Sequence, residues 1–137
     1  YWLNRDLAIT PDGSRLIYVG NRGTQLFVRE LDALSPVAVF TGLPSGPFVS
    51  PDGQWIGFLD GRGLLKKVAV AGGPAVTVAT LDTSGPTGAT WGPDDTIIFA
   101  TASVETGLQR VSAGGGPMTV LTRPDRTKGW AAIGEVK

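Results

Sequence analysis

The sequence predicts an all-β fold made of three four-stranded antiparallel units, and three observations support this prediction. Glycine and proline (20 Gly and 10 Pro) make up more than a fifth of the 137 residues, which favours many short strands joined by turns over long helices. A Pro-Asp turn motif occurs three times with a period near 40 residues. Each copy lies between two short apolar stretches, and a second proline follows each copy at an equivalent distance.

The first element of each unit is a hairpin whose turn begins at Pro11, Pro51 or Pro93. Proline fixes φ for the second residue of a type I turn, and Asp suits the third. A glycine after the Asp can take the positive φ that a bulged hairpin loop needs, and Asp replaces this glycine in the third copy. We interpret all nine motif residues as structural turn residues: Pro11, Asp12, Gly13, Pro51, Asp52, Gly53, Pro93, Asp94 and Asp95.

Two further strands complete each unit. A third apolar stretch begins at Leu26, Leu65 and Leu108, and a fourth follows a turn that contains Pro36, Pro74 and Pro117. Four short strands per unit and this period are the sequence signature of β-propeller blades. We therefore expect one domain over residues 1–137, with blades at about 6–40, 47–79 and 88–121 and tails at 1–5 and 122–137.

Strand alternation predicts which side chains are buried, although a shift of one residue exchanges the two faces of a strand. The predicted core consists of Leu7, Ile9, Leu16, Tyr18, Leu26, Val28, Phe48, Trp55, Phe58, Val68, Val70, Trp91, Ile98, Phe99 and Val111.

The turn sequences resemble the TolB-like, WD-repeat-like propeller family of bacteria. They read Thr10-Pro-Asp-Gly, Ser50-Pro-Asp-Gly and Gly92-Pro-Asp-Asp, close to that family's Ser-Pro-Asp-Gly hallmark, and the third copy departs from it at both ends. The segment from Leu65 to Pro74 also resembles propeller repeats appended to bacterial Ser/Thr kinases. The resemblance covers residues 6–121. It implies a propeller in a bacterial protein with a periplasmic location, and a scaffold, sensor, peptidase gate or lyase.

Three blades are too few for a ring, since propellers close with about four to eight blades. An arc of three leaves one apolar face uncovered at each end. We expect a homodimer in which blade 3 of each chain packs on blade 1 of the other, giving six blades. The alternative is that the chain is part of a longer propeller. Residues 130–136 could add one more strand at the junction.

Charge and composition exclude several classes of protein. The 12 Lys+Arg balance the 12 Asp+Glu, which argues against nucleic-acid binding. There is no Cys and no His, so the usual zinc ligands, thiol nucleophiles and His-based triads are missing. No apolar run approaches the roughly 18–20 residues of a membrane span. We expect no cofactor and no metal.

The candidate ligand-binding residues lie in the turns between the second and third strands and in the links between blades. Arg22 and Arg62 each stand 11 residues after a motif proline, so the repeat makes them equivalent, whereas blade 3 has Ser103-Val104-Glu105 instead. Guanidinium groups suit carboxylate or phosphate ligands. The full set of candidates is Arg22, Asp60, Arg62, Asp82, Arg123, Asp125 and Arg126. Solvated turns and loops are the alternative interpretation of all seven.

Two classes of function remain. The first is a non-catalytic scaffold that self-associates into a ring and binds a protein, peptide or glycan on its loop face. The second is a hydrolase or lyase that uses carboxylates or a bound metal ion in the channel. A fragment of a propeller-containing sensor kinase or peptidase is a further alternative, since the fold alone does not select a function.

Overall fold

The computed structural model describes residues 6–61, 63–81, 86–101, 107–121, 124–125 and 130–131. Within these residues the chain is all-β, and three four-stranded antiparallel sheets each have their strands in chain order. The predicted fold class is therefore confirmed. No helix in the described ranges is long and apolar enough to cross a membrane.

Each sheet is one blade. Blade 1 contains β1 (Leu7–Ile9), β2 (Arg15–Gly20), β3 (Gln25–Glu30) and β4 (Val37–Thr41). Blade 2 contains β5 (Pro44–Val49), β6 (Trp55–Asp60), β7 (Leu64–Ala69) and β8 (Val76–Thr80). Blade 3 contains β9 (Pro86–Trp91), β10 (Thr96–Thr101), β11 (Leu108–Ser112) and β12 (Thr119–Val120). Two short strands, β13 (Pro124–Asp125) and β14 (Trp130–Ala131), pair with each other.

Two apolar cores hold consecutive blades together. The first core joins blades 1 and 2 and consists of Ile17, Leu26, Val28, Ile56, Phe58, Val68 and Val70. The second joins blades 2 and 3 and consists of Leu65, Val78, Leu81, Trp91, Ile97, Phe99, Val111 and Ala113. The first strands of neighbouring blades also contact each other, β1 with β5 and β5 with β9. The blades therefore pack face to face around a common inner edge, as in a propeller.

The predicted core is wrong on one face of blade 1. Leu7 and Ile9 are 62% and 54% exposed, and Leu16 and Tyr18 are only half-buried. Ile17, between them, is fully buried. Successive residues of β2 point to opposite faces of the sheet, and only the Ile17 face of blade 1 meets another blade in the described chain.

The same one-residue shift occurs in blade 3. Ile98 is half-buried, whereas its neighbour Ile97 is fully buried against blade 2. Phe48 and Trp55 are half-buried and pack against the second core. The other predicted core residues are buried.

The motif turns require a left-handed backbone at their last position. Gly13, Gly53 and Asp95 have φ of 75°, 72° and 63°. We predict that Gly13→Val lowers the free energy of unfolding by about 1 kcal/mol or more, because a β-branched residue is strained at this φ. A Cβ at Gly13 would meet nothing within 4 Å, so backbone strain alone would cause the loss.

Gly13→Asn is the matched control, since Asn tolerates the left-handed region and Asn21 already adopts a φ of 53° in this chain. Thermal unfolding of both variants provides the measurement. Equal melting temperatures for the valine and asparagine variants would contradict this account of the turn.

Candidate functional site

The strand order gives every blade two ends. In each blade, the turn between the first and second strands and the turn between the third and fourth strands lie at one end, which we call the motif end. The turns between the second and third strands and the links between blades lie at the other, which we call the loop end. The two ends carry different chemistry.

At the motif end, a buried hydroxyl organises each of the first two turns. Thr10 Oγ1 donates to Asp12 Oδ1 (2.7 Å) and accepts from the Arg15 N–H (3.1 Å). In the second turn, Ser50 Oγ donates to Asp52 Oδ1 (2.6 Å) and accepts from the N–H of the next strand's first residue (3.0 Å). Thr10 and Ser50 are each 3% exposed. These hydroxyls connect the turn carboxylate to the strand that follows it.

Both carboxylates are held in their charged form by these contacts. The Ser14 backbone N–H, together with the Thr10 and Ser14 hydroxyls, lowers the pKa of Asp12 from 3.8 to about 2. The Ser50 hydroxyl and the Gln54 backbone N–H likewise lower the pKa of Asp52. Hydrogen bonds donated to a carboxylate favour its ionised form. The bonds that shift these groups are all local to the turns.

The third turn uses a different device. Gly92 provides no hydroxyl, and Asp95 occupies the left-handed position. Its Oδ1 accepts a hydrogen bond of 2.8 Å from Trp91 Nε1. The indole therefore anchors the turn to the second apolar core, where Trp91 is 6% exposed.

At the loop end of blade 1, Arg22 lies on a tight turn and is exposed. Asn21, Arg22 and Gly23 have φ of 53°, 58° and 82°, so three consecutive residues are left-handed in the loop that joins the paired residues Gly20 and Gln25. Asn21 Nδ2 donates to Gln25 Oε1 (2.9 Å) and braces the turn. The fixed backbone places the Arg22 side chain at the tip of the loop end.

Asp60 lies at the same end of blade 2, as the last residue of β6. Both of its carboxylate oxygens have partners within the chain. Oδ2 accepts from Lys66 Nζ (2.7 Å) and Oδ1 from the Leu43 N–H (3.0 Å). Burial raises the pKa of Asp60, but the Lys66 hydrogen bond, the Leu43 N–H and the Lys66 charge outweigh it and lower the pKa overall. Lys66 Nζ also stands 5.5 Å from the centroid of the Phe40 ring. Asp60 thus ties the link after blade 1 to blade 2.

The remaining candidate residues lie wholly or partly outside the described residues. Arg62, Asp82, Arg123 and Arg126 are not described, and Asp125 is described only as a backbone partner of Trp130 in the β13–β14 pair. The structure therefore brings Asp60 and the link after blade 1 together and places Arg22 at the same end. Among the described residues no group of three His, Cys, Asp or Glu side chains is arranged to hold a metal ion.

The sequence did not predict a cavity at the motif end. A space of about 370 Å³ opens between blades 1 and 2, with Val28, Val37 and Val70 among its apolar lining and Arg15 and Glu30 among its polar lining. A smaller space of about 120 Å³ lies between the first two motif turns. Both depend on side chains from different blades, so no spacing within one repeat indicates them.

Comparison with solved structures finds that this chain is similar in fold to several propellers. An oligogalacturonate lyase in complex with manganese matches with a TM-score of 0.72 and 14% identity, over 88% of this chain and 40% of that one. TolB from Acinetobacter baumannii matches with a TM-score of 0.66 and 21% identity, over 85% and 31%. A chain of a nidogen/laminin complex matches with a TM-score of 0.70 and 13% identity, over 84% and 46%.

These likenesses show the fold alone, because all three identities are low. The chain spans less than half the length of each of these solved structures. They include both enzymes and binding proteins, so they do not select a function. The sequence matches no protein-family model and no curated protein.

The depressed pKa values predict loss of stability in acid. A carboxylate whose pKa is lower in the folded state stabilises the fold above its unfolded pKa, and this contribution is lost as the pH falls through the folded value. For Asp12 that window runs from 3.8 down to about 2. We expect the melting temperature to fall across this range, and to fall less in the double variant Asp12→Asn, Asp52→Asn, whose amide oxygens still accept the turn bonds.

Asp94→Asn is the control for this experiment, because the third turn has Gly92 in place of a Ser or Thr and lacks the hydroxyl donor. It makes the same change from carboxylate to amide in a turn where no Ser or Thr precedes the proline. Circular dichroism melts from pH 5 to pH 2 provide the measurement. A double variant as acid-sensitive as the unsubstituted protein would contradict the assignment.

Proposed function

We propose that this chain is a non-catalytic binding and scaffold module, which closes a six-bladed ring with a second copy of itself and binds a protein, peptide or glycan at the loop end. The observation that supports it most is an apolar face on blade 1 on which no other blade among the described residues packs. A location outside the cytoplasm belongs to the same proposal and is supported by the resemblance of the turns to TolB-like repeats.

The outward face of blade 1 consists of Leu7, Ile9, Leu16, Tyr18 and Phe27. The strand register pairs Leu7 with Tyr18, Ile9 with Leu16 and Tyr18 with Phe27, so all five side chains lie on one side of the sheet. Tyr18 and Phe27 stack with their ring centroids 5.5 Å apart. A contiguous apolar patch of this kind marks an interaction surface on a monomer.

The repeat indicates what covers this face. Leu16 and Tyr18 stand five and seven residues after the motif proline, as do Ile56 and Phe58 in blade 2. Ile56 and Phe58 are both 0% exposed, because blade 1 packs on them. In blade 3, where the turn is one residue shorter, blade 2 covers Ile97 in the same way. The outward face of blade 1 therefore has the position and the chemistry of a face that a preceding blade buries.

A second copy offers the surface that the repeat places at the equivalent position. The outward face of blade 3 includes Thr90, Ile98 and Arg110, which the register aligns across three strands, and it is the equivalent of the blade 1 face that packs on blade 2. Two copies related by a two-fold axis would each cover the outward face of the partner's blade 1 with their own blade 3. This chain covers 46%, 40% and 31% of the three solved propellers, so more than half of each lies outside the matched blades and leaves room for such a second half.

The loop end of this ring would carry Arg22 twice, and the equivalent Arg62 twice. Arg22 is exposed on a rigid turn, and guanidinium groups bind carboxylates through two parallel hydrogen bonds. Anionic peptides and anionic glycans are therefore the ligands that suit this end best. The ligand would meet side chains from both copies, so binding would depend on ring closure.

Ring closure predicts a dimer in light scattering, with twice the chain mass of 14.3 kDa at micromolar concentration and an interface above roughly 2,000 Å². Leu16→Asp places a charge on the outward face and should convert the dimer into monomers or aggregates. Leu34→Asp is the matched control, since Leu34 is 96% exposed on the β3–β4 turn, away from that face.

The result expected is a dimer for the Leu34→Asp variant and none for Leu16→Asp. A soluble, monodisperse monomer of the unsubstituted chain would overturn ring closure by a second copy. The outward face would then be the place where further blades of a longer chain pack.

Ligand binding at the loop end has a separate test. Titration calorimetry with an acidic peptide and with an oligogalacturonate should show binding that Arg22→Ala weakens at least several-fold. Arg29→Ala is the control, because it removes an exposed arginine near the opposite end of β3. Equal affinities for the two variants would remove Arg22 from the site.

The same titrations test the catalytic alternative. Incubation of the oligogalacturonate and of ester and phosphate substrates, with and without a chelator, should give no product if the chain is a binding module. Chelator-sensitive turnover would favour the hydrolase or lyase.

A further inference from the structure

The cavity between blades 1 and 2 is a feature of this chain that ring closure does not use. Its volume of about 370 Å³ lies in the range of small-ligand sites. Val28 and Val70, each 7% exposed, belong to the apolar core beneath it. Arg15 and Glu30 line its polar side and contact each other only at 3.5 Å, Nη2 to Oε1.

The equivalent junction between blades 2 and 3 shows what the repeat places at this position. Arg15 stands four residues after Pro11, and Trp55 stands four residues after Pro51. Both begin the second strand of their blade and pair with equivalent residues of the third, Arg15 with Glu30 and Trp55 with Ala69. Trp55 packs against the second core, and Lys67 Nζ lies 4.8 Å from the centroid of its ring. At the junction of blades 2 and 3, the Trp55 indole, with the Lys67 cation beside its ring, therefore takes the position that Arg15 takes at the junction of blades 1 and 2.

We infer that the cavity between blades 1 and 2 is a binding site for an aromatic side chain of a partner peptide, with tryptophan as the best fit. The ring would lie on the valine floor, as the Trp55 ring lies on the core of the next junction. Arg15 would contact the ring face as Lys67 does for Trp55. Glu30 would accept the indole N–H, since a carboxylate provides only acceptors.

The state of Arg15 and Glu30 suits them to this role. Their side chains are 36% and 55% exposed, and ion pairs at such exposure contribute little to stability. Both groups can therefore turn towards a ligand at small cost.

Two features of the rim favour a peptide over a free aromatic molecule. Val37 lines the cavity and is also the first residue of β4, the edge strand of blade 1. The outer edge of β4 pairs with no strand among the described residues, and such an edge can pair with an extended peptide. Leu34 stands 96% exposed on the turn beside the lining residues Ala33 and Ser35. An exposed leucine at the rim provides apolar contact for residues next to the bound aromatic side chain.

The test replaces Arg15 by tryptophan, the residue that stands at the equivalent position of blade 2. Arg15→Trp should fill the cavity as Trp55 fills the next junction, abolish binding and raise the melting temperature. Arg15→Ala should keep the cavity, remove the cation and weaken binding several-fold. Thr80→Trp is the matched control, because it adds an indole at an exposed position at the loop end of blade 2 and should leave binding unchanged.

The probes are a blocked hexapeptide with one central tryptophan, the same peptide with leucine in that place, and N-acetyl-tryptophanamide, followed by ligand-observed NMR. We expect the tryptophan peptide to bind at least tenfold more tightly than the leucine peptide, and more tightly than the amide. No binding of the tryptophan peptide at millimolar concentration would overturn the inference, as would an Arg15→Trp variant that is folded and still binds. Equal affinity for the peptide and the amide would overturn the peptide assignment. The cavity lies within one chain, so these outcomes are independent of ring closure.

Discussion

The structure depends on the burial of one blade face beneath the next. Each blade is a sheet of four strands, and a sheet face that carries apolar side chains needs a neighbour to cover it. The cores between blades 1 and 2 and between blades 2 and 3 meet this requirement twice. This requirement also bears on the proposed ring closure, because the outward faces of blades 1 and 3 belong to the same repeat that forms the two cores.

The sequence predicted the four strands of each blade, their order and the turns, because each depends on residues within one repeat. It did not predict which face of β2 is buried. The run 16–19 of β2 is apolar throughout, so no alternation of apolar and polar residues marks the buried face. Such a run is expected where a strand is covered on both faces. The cavity beside Arg15 escaped prediction for another reason. It forms between repeats, and a comparison of Arg15 with Trp55 becomes meaningful only when both are known to face the following blade.

The sequence also did not reveal the partners of the Asp60 side chain. Its place beside a Gly-rich turn made it a candidate for ligand binding, yet Lys66 and the Leu43 N–H accompany its carboxylate. Lys66 reaches it across the hairpin, and its Nζ lies 5.5 Å from the centroid of the Phe40 ring of blade 1. A partly buried ion pair of this kind fixes the link between blades 1 and 2, which leaves Arg22 as the described candidate at the loop end that extends into solvent. The repeat therefore separates residues that hold blades together from those that can meet a ligand.

The third turn shows why the motif can change without loss of the fold. In the first two turns the hydroxyl of Thr10 or Ser50 and the glycine after the Asp act as separate parts, one holding the carboxylate and one allowing a left-handed backbone. Blade 3 lacks both, and a single residue replaces them. Asp95 accepts the left-handed conformation and also provides the carboxylate that Trp91 binds. Because Trp91 belongs to the second core, the turn of blade 3 is stabilised by packing against blade 2, where the other two turns are stabilised by their own residues. The motif turn of blade 3 consequently depends more on a neighbouring blade than the motif turns of blades 1 and 2 do. Face-to-face packing of blades thus stabilises a turn that is stabilised locally in the other two blades.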